Sequence, residues 1–255
     1  MSDQFAVLGS PISHSKSPVI HDVCFRMLAR DAVYGAFQVS ELGVFLADNP
    51  QFKGLSITMP LKEQAFLISE SHDAMAKLTQ NCNTLVRTPS GWSGYNTDVF
   101  GLRQAANGRR FDRVSVLGSG SSARSALAAF QDKETLVWGR NSERVLGLAS
   151  QFQAISVSLE EALNADLVVS TLPAGVLTEL IQNSSNFPGI LFDISYAKSE
   201  GSDPRFAGGA ISGLDMLVWQ AIMQQRIFAG REPTDAFPNE AKMLEVITTA
   251  LNMAK

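Results

Sequence analysis

A loop suited to phosphate binding lies near the middle of the chain, where a short apolar run ends in Gly118-Ser119-Gly120-Ser121-Ser122-Ala123. The spacing is Gly-x-Gly-x-x-Ala, and the alanine-rich segment after it is predicted to be a helix. In that setting Gly118 permits a tight turn, Gly120 lets the backbone approach a pyrophosphate, and Ala123 allows close packing of helix on strand. Backbone N–H groups at the start of the helix would bind the phosphates. The loop therefore indicates a dinucleotide site; the alternative is a turn that needs glycine only for its backbone geometry.

The residues after the next predicted strand indicate which dinucleotide binds. That strand, Glu134–Trp138, leads into Gly139, Arg140 and Asn141. A fold that prefers NAD usually carries an acidic residue about 20 residues beyond the loop, where it binds the ribose 2′-hydroxyl. Arg140 instead offers a planar set of donors that suits a 2′-phosphate. We therefore predict NADP as the cofactor, with a solvated arginine at a strand end as the alternative.

Four polar clusters precede this loop, and each stands at the predicted end of a strand or in a turn, where α/β proteins bind ligands. Ser15 and Ser17 alternate, so in an extended segment both hydroxyls would point the same way, toward a carboxylate. The alternative for Ser17 is capping of the following helix. In chain order the clusters are Gly9–Pro18, Gly54–Lys62, Asn81–Thr84 and Tyr95–Asp98.

Lys62 and Asp98 are the residues of these clusters that could hold or move a proton. Lys62 falls in the first turn of a predicted helix, where a cation opposes the helix dipole, and such a placement often has a functional cause. A surface lysine that extends into solvent is the alternative. Asp98 stands at the boundary with the second half of the chain, where substrate would meet cofactor. Its alternative role is to cap a helix predicted over residues 99–106.

The elements that must position these residues are those of an α/β protein, because short apolar runs alternate with longer amphipathic stretches. Before the glycine loop we predict strands near Phe5–Gly9, Val33–Val39, Leu55–Thr58, Asn83–Arg87 and Trp92–Asn96, and helices over Pro18–Ala29, Ser40–Asp48, Leu61–Ile68 and Asp73–Leu78. From the loop onward we predict strands at Val114–Leu117, Glu134–Trp138, Ala154–Val157, Leu167–Ser170, Ile190–Ile194 and Ala210–Ser212.

Two domains follow from this order of elements. An N-terminal α/β substrate domain would contain residues 1–100 and 215–255, and a Rossmann-like doubly wound domain of residues 101–214 would bind NADP. The last part of the chain is predicted to form two helices that return to the first domain. Their apolar residues would be Leu217, Ala221, Ile227, Phe228, Ala241, Leu244 and Ile247.

The composition argues against several function classes. A hydrophobic share of 45% and a charged share of 18% are ordinary for a folded protein, and a net charge of −4 provides no basic field for nucleic acid. No apolar run approaches membrane-spanning length. Cys24 and Cys82 form no Cys-x-x-Cys pair, and the histidines His14, His21 and His72 have no metal-ligand spacing. We therefore expect a cytoplasmic protein with no metal and with no nucleic-acid or membrane partner.

In order and approximate spacing, the four clusters, the glycine loop and the segment Gly213–Ala221 resemble the signature segments of the shikimate dehydrogenase family. The resemblance covers nearly the whole chain. It implies NADPH-dependent reduction of the small molecule 3-dehydroshikimate to shikimate, in aromatic amino-acid biosynthesis, by a monomer or homodimer.

The resemblance also implies a role for each site residue. Lys62 and Asp98 would be the catalytic pair, with Lys62 donating a proton or hydrogen bond during ketone reduction and Asp98 orienting it. The substrate ligands would be Ser15, Ser17, Thr58, Lys62, Asn83, Asp98 and Gln220. The cofactor ligands would be Gly118, Ser119, Gly120, Ser121, Ser122, Ala123, Arg140, Asn141, Thr171 and Met216.

Three residues depart from the family pattern at places that matter for the site. Ser56 stands where the family usually has Asn, Asn141 stands where it has Thr or Ser, and Asp215 stands where Gly near the nicotinamide is common. Ser56 is still polar, so substrate binding is retained. We expect the side chain of Asp215 to point to solvent.

Other functions compatible with these residues fall into three classes. One is a quinate/shikimate dehydrogenase of the same fold with a preference for NAD, which an acidic residue at position 140 would favour. A second is a non-catalytic regulator that binds NADPH or a metabolite, which loss of Lys62 or Asp98 would favour; both are present. A third is a dehydrogenase for another cyclic polyol, which would share all of these residues.

Overall fold

A computed structural model of the chain describes residues 2–195 and 203–253. The chain folds into two compact units: the first unit is Met1–Thr97 with Val218–Lys255, and the second unit is Asp98–Leu217. Each observed boundary lies three residues from the predicted one, 97 against 100 and 218 against 215. The α/β fold class predicted from the alternation of apolar runs is confirmed.

The elements follow one another in the order that the sequence pattern predicts, with most ends shifted by one to three residues. The strands are β1 (Asp3–Gly9), β2 (Ala32–Gln38), β3 (Phe52–Ile57), β4 (Ser71–His72), β5 (Thr84–Thr88), β6 (Gly91–Tyr95), β7 (Arg113–Leu117), β8 (Glu134–Trp138), β9 (Ile155–Ser156), β10 (Leu167–Ser170), β11 (Ile190–Asp193) and β12 (Ala210–Ser212). The helices are α1 (Ser17–Met27), α2 (Leu42–Asp48), α3 (Lys62–Ile68), α4 (Ala74–Thr79), α5 (Asp98–Ala105), α6 (Ser121–Ala129), α7 (Ser142–Phe152), α8 (Leu159–Leu163), α9 (Val176–Leu180), α10 (Gly213–Phe228) and α11 (Glu240–Met253).

The first unit contains a mixed sheet whose six described strands lie in the order β2-β1-β3-β5-β6-β4. Strand β1 is parallel to both β2 and β3, while β3, β5 and β6 are joined by antiparallel pairs. Residues 5–9 of β1 are all buried, which explains why this strand has a continuous apolar sequence instead of an alternating one. Because β1 and β3 are parallel neighbours, their carboxyl ends lie side by side, and both lead into predicted polar clusters.

From Val218 onward the C-terminal helices belong to the first unit, where α11 packs against α1. Helix α11 buries Met243, Ile247 and Leu251, which are spaced four residues apart, whereas Ala241 is exposed and its predicted burial is wrong. Of the other residues predicted for this stripe, Ile247 is buried and Leu244 is half-buried. Arg226 at the end of α10 makes two hydrogen bonds of 2.6 Å to the carboxylate of Glu240, so a buried ion pair joins the two helices.

The second unit contains a parallel sheet whose six described strands lie in the order β12-β11-β10-β7-β8-β9. If β7 is counted as its first strand, this is the order 3-2-1-4-5-6 of the Rossmann fold. The strand order reverses between β7 and β10, and ligands of such sheets bind outside the carboxyl ends of the strands at that point. The glycine loop follows β7, so it stands at the reversal.

The sequence pattern did not predict β4, α8 and α9. These elements are only two to five residues long, and periodicity is not measurable over so few positions. Within residues 2–195 and 203–253, no helix has the length and apolar character needed to cross a membrane.

Candidate active site

Asn83 is the centre of a buried polar cluster in the first unit. Its Oδ1 accepts hydrogen bonds of 2.8 Å from the backbone N of Thr97 and from the hydroxyl of Thr84. Because a backbone N–H can only donate, this contact fixes which end of the amide is oxygen. The Nδ2 of Asn83 then donates to Thr97 Oγ1 at 2.8 Å and to Gln220 Oε1 at 3.1 Å. Two predicted substrate residues from distant parts of the sequence are thus in direct contact.

Gln220 projects from α10 and is 6% exposed. Its Oε1 accepts from Asn83, so the amide is oriented with Nε2 on the side away from Asn83. Asn83 uses both protons of its Nδ2 within the cluster, on Thr97 and Gln220, and so fixes the orientation of the Gln220 amide. An amide N–H donor suits the hydroxyl or carbonyl oxygen of a hydroxylated ring.

Lys62 and Thr58 lie at the carboxyl end of β3, beside Asn83. The backbone N of Ile57 donates to Asn83 O at 2.7 Å, and the carbonyl of Lys62 accepts from Cys82 N at 3.0 Å. Lys62 is the first residue of α3 and is 9% exposed, so the alternative of a lysine extended into solvent is wrong. A lysine this far buried at the start of a helix has no structural benefit from the helix dipole. Its position favours a functional role.

Ser15 and Ser17 follow β1, whose end lies beside the end of β3. The backbone N of Ser10 donates to Met59 O at 2.9 Å, which joins the two segments. Ser17 is the first residue of α1 instead of part of an extended segment, and Ser15 Oγ accepts from Ser17 N at 3.3 Å. Lys16 occupies the N-cap position and makes no side-chain cap, so capping by Ser17 is also wrong.

Asp98 is the first residue of α5 and is 4% exposed. The predicted helix over residues 99–106 is thus observed one residue earlier, and Asp98 belongs to the helix instead of preceding it. Asp98 follows Thr97 directly in the chain, and the backbone N of Thr97 is held by Asn83. This hydrogen bond fixes the turn from which Asp98 emerges.

The glycine loop of the second unit has the geometry that phosphate binding requires. Gly118 has a φ of +126°, and a side chain there would overlap the hydroxyl of Thr171. Thr171 Oγ1 donates to Leu117 O at 2.9 Å, which brings the end of β10 to the end of β7. Gly120 is the N-cap of α6 without a side-chain cap, and a Cβ added there meets no atom within 4 Å. Open space beside a helix N-terminus fits a dinucleotide pyrophosphate.

The segment after β8 lies against this loop. Gly118 N donates to Trp138 O at 2.7 Å, and a Cβ at Gly139 would lie 3.5 Å from Gly118 C. Arg140, the next residue, is exposed. Asn141 Oδ1 accepts from the backbone N of Arg144 at 3.0 Å and so caps α7. The side chain of Asn141 therefore has a structural role in addition to the predicted contact with the cofactor.

The first turn of α10 carries Asp215 and Met216. Asp215 is exposed, as predicted, and Met216 is buried. Although Asp215 is exposed, the surrounding protein partly desolvates its carboxyl and raises its pKa, and the positive charge of Arg109 opposes that shift.

Two residues with a place beside the candidate site were missed by the sequence analysis. Arg144 lies in the first turn of α7, four residues after Arg140. Gln224 lies one turn after Gln220 on α10 and contacts both Thr84 and the carbonyl of Asn83. A signal existed for each: Arg144 opposes a helix dipole as Lys62 does, and Gln224 shares a helix face with Gln220.

Comparison with known proteins gives the same family from sequence and from structure. A family model described as the shikimate dehydrogenase substrate binding domain matches residues 7–85. The shikimate dehydrogenase (NADP(+)) of Oleidesulfovibrio alaskensis is 32% identical over 251 residues, covering 89% of this chain and 90% of the relative. That of Methanothrix thermoacetophila is 35% identical over 254 residues, covering 91% and 93%.

Solved structures agree over almost the full length. The shikimate 5-dehydrogenase of Thermus thermophilus, in complex with NADP(H) and shikimate, matches with a TM-score of 0.79 and 29% identity, covering 97% of this chain and 99% of that one. The shikimate dehydrogenase of Mycobacterium tuberculosis matches with a TM-score of 0.82 and 30% identity over the same shares.

Proposed function

The chain belongs to the shikimate dehydrogenase family, and we infer that it is an NADP-dependent oxidoreductase that acts on a CH–OH group. The reaction is the reversible, NADPH-dependent reduction of 3-dehydroshikimate to shikimate. The contact between Asn83 and Gln220 carries this inference furthest, because it provides two buried amides with fixed orientation for a polyol ring.

Substrate binding is assigned to side chains at the carboxyl ends of β1 and β3 and to the Asn83 cluster. The hydroxyls of Ser15 and Ser17 would bind the substrate carboxylate, and the backbone N–H groups at the start of α1 favour a negative charge there. Gln220 would donate to a ring hydroxyl, with Thr58 as a further ligand. The two Nδ2 protons of Asn83 go to Thr97 and Gln220, so Asn83 would bind a ring hydroxyl by sharing or exchanging one of these hydrogen bonds. Because the Gln220 amide is already oriented by its hydrogen bond from Asn83, little reorganisation of that side chain accompanies binding.

Proton transfer is assigned to Lys62. Reduction of the ketone produces an alkoxide that must gain a proton, and an ammonium group can supply it or stabilise the developing charge. Asp98 is assigned the complementary role: its carboxylate would hold the lysine and accept a hydrogen bond from a ring hydroxyl. In the oxidation direction the same lysine would receive the hydroxyl proton.

The residues of the second unit fit a dinucleotide phosphate. The loop Gly118–Ala123 and the start of α6 would hold the pyrophosphate, Arg140 and Asn141 the 2′-phosphate, and Thr171 and Met216 would lie beside the rest of the cofactor. NADPH, when bound, supplies the hydride that reduces the ketone. Arg144 is a second cation near Arg140 and would add to the attraction of a 2′-phosphate.

We also propose where the protein is located and how it assembles. A cytoplasmic location is supported by Cys24 and Cys82, which are buried free thiols in this chain, as expected in a reducing compartment. A monomer or homodimer is proposed as the assembly.

Initial rates of nicotinamide reduction with shikimate and with quinate, each against NADP and NAD, test the proposed function. The highest kcat/KM is expected for shikimate with NADP. A higher value for quinate with NAD would favour the quinate/shikimate alternative. Absence of turnover with all four pairs would overturn the assignment as an enzyme of this family's reaction.

A further inference from the structure

A continuous set of buried polar side chains lies behind the residues assigned to substrate. It consists of His21 on α1, Ser56 on β3, Thr84 on β5 and Gln224 on α10, and it ends on Asn83; we call it the amide network. Gln224 is 1% exposed and Ser56 is 5% exposed, so neither side chain can exchange its partners for bulk water. Buried polar groups of this kind are costly unless each finds its partner.

The orientation of Gln224 is fixed by the backbone. Its Nε2 donates to the carbonyl of Asn83 at 3.1 Å and to Thr84 Oγ1 at 2.9 Å. A carbonyl can only accept, so the nitrogen must face β5 and Oε1 must face the other way. Oε1 accepts from the hydroxyl of Ser56 at 2.8 Å, and Ser56 in turn accepts from Tyr34 at 2.6 Å.

Thr84 transmits this orientation to the side chain of Asn83. Its hydroxyl oxygen accepts from Gln224, so its proton is directed to Asn83 Oδ1 at 2.8 Å. Together with the backbone N of Thr97, this contact holds Asn83 with Nδ2 toward Gln220. A change at Gln224 therefore alters how firmly Asn83 holds the amide of Gln220, although the hydroxyl of Thr84 stands between Gln224 and the side chain of Asn83.

His21 extends the network to the helix that carries Ser17. Its Nε2 lies 3.2 Å from Gln224 Oε1, and its Nδ1 lies 2.6 Å from Gln225 Nε2, an arrangement satisfied by a neutral ring protonated at Nε2. The ring also stacks on Tyr34 with a centroid distance of 4.2 Å. His21 follows Ser17 by one helical turn, and Gln224 follows Gln220 by one turn. The hydrogen bond between them thus joins the two helices that carry assigned substrate residues.

We propose that Gln224 is a positioning residue for substrate binding, which fixes the amide of Asn83, and through it the amide of Gln220, and joins them to α1 through His21. This inference rests on the proposed function. It also accounts for Ser56 at the position where the family usually has Asn: the small hydroxyl donates to Gln224 and accepts from Tyr34 in the space available.

The test compares Gln224→Met with the matched control Gln225→Met. Gln225 is equally buried, is the next residue of α10 and bonds to the same histidine from the other side. Among the described residues it has no hydrogen bond to Asn83 or Thr84. Gln224→Met is expected to raise the KM for shikimate about tenfold with kcat and the KM for NADP changed less than about threefold. Gln225→Met is expected to change the KM for shikimate less than about twofold.

Equal effects of the two substitutions on the KM for shikimate would show a structural role only and overturn the proposal, as would an unchanged KM in Gln224→Met. If Gln224→Met fails to fold, Ser56→Ala removes a donor to Gln224 without removing bulk, and about a threefold rise in KM for shikimate is expected. An unchanged KM in Ser56→Ala would then overturn it. Absence of shikimate turnover in the unmodified chain would instead contradict the proposed function. Failure of the proposed function and failure of the positioning role of Gln224 are therefore distinguishable.

Discussion

The two units of this protein differ in which part of the chain forms the site: the backbone in one and the side chains in the other. In the second unit the backbone forms the site: a parallel sheet, a glycine at φ +126° and the open N-terminus of α6. In the first unit the side chains form it, since Asn83, Thr84, Thr97, Gln220 and Gln224 hold one another in fixed orientations. Cofactor binding therefore depends on the conformation of the backbone, whereas substrate binding depends on the donor and acceptor atoms of the side chains.

This difference explains what each unit can recognise. A pyrophosphate is bound by N–H groups that every residue possesses, so the same loop serves many dinucleotide enzymes. A ring with several hydroxyls is distinguished only by donors and acceptors at set positions, and buried amides fixed by neighbours provide them. Substitutions in the first unit should therefore alter the reaction of one substrate, and those in the second should alter the cofactor.

The largest effect is expected from removing the proton donor of the first unit. Lys62→Met should lower kcat for shikimate oxidation about a thousandfold, because general acid–base catalysis is lost while the carbon stem is retained. The KM for NADP should change little. The measurement compares the steady-state rates of Lys62→Met with those of the control Lys77→Met, which alters an exposed lysine of the same unit. Turnover retained in Lys62→Met would remove this lysine from the proton-transfer role.

The second prediction separates two glycines of one loop. Gly118→Ala introduces a side chain at φ +126° against Thr171, and we expect it to lower the free energy of unfolding by about 2–3 kcal/mol. Gly120→Ala has open space around its Cβ and a φ of −96°, so stability should be unchanged while NADP affinity falls about tenfold. Thermal unfolding and titration with NADP measure the two quantities. Equal losses of stability would contradict the distinction.

The third prediction concerns the choice between cofactors. Arg140→Ala should raise the KM for NADP about tenfold and leave the KM for NAD within about twofold, because a charged hydrogen bond to the 2′-phosphate is lost. Arg110→Ala, an exposed arginine elsewhere in the second unit, serves as the control. An equal rise of the KM for NADP and the KM for NAD in Arg140→Ala would show that this residue does not bind the 2′-phosphate.

The last prediction is a pH dependence of stability in the first unit. Burial lowers the pKa of His21 from 6.5 to about 3, so between these values the unfolded chain binds a proton that the folded chain does not. The free energy of unfolding should therefore fall on acidification through this range by about 1.4 kcal/mol per pH unit. Denaturation of His21→Gln should lack this contribution, whereas His14→Gln, at an exposed position, should keep it. The same pH dependence of the free energy of unfolding in the unmodified chain, His21→Gln and His14→Gln would refute this prediction.

Much of the second unit could be predicted from sequence because its determinants are local. The glycine spacing, the apolar strand before it and Arg140 at the end of the next strand are all visible along the chain. The Rossmann strand order then follows from general rules for parallel sheets. What the pattern missed there, α8 and α9, are single-turn helices that carry no periodic signal.

The first unit was predictable in its elements but not in its network. Ser56, Tyr34 and His21 are ordinary in sequence, and their roles depend on contacts such as Ser56 with Gln224, 168 residues apart. Ser17 illustrates the same limit, because spacing alone suggested an extended segment or a helix cap and the structure has the first residue of α1. Donor and acceptor assignments require three-dimensional neighbours, so no local pattern could supply them.

One set of bisubstrate initial rates tests the division between the units most directly. The unmodified chain, Asn83→Leu and Arg140→Ala would be measured over a grid of shikimate and NADP concentrations. We predict turnover in the unmodified chain, a KM for shikimate raised about a hundredfold only in Asn83→Leu, and a KM for NADP raised about tenfold only in Arg140→Ala. The account would be contradicted if each substitution raised the KM for shikimate and the KM for NADP equally. It would also be contradicted if the unmodified chain did not turn over shikimate with NADP.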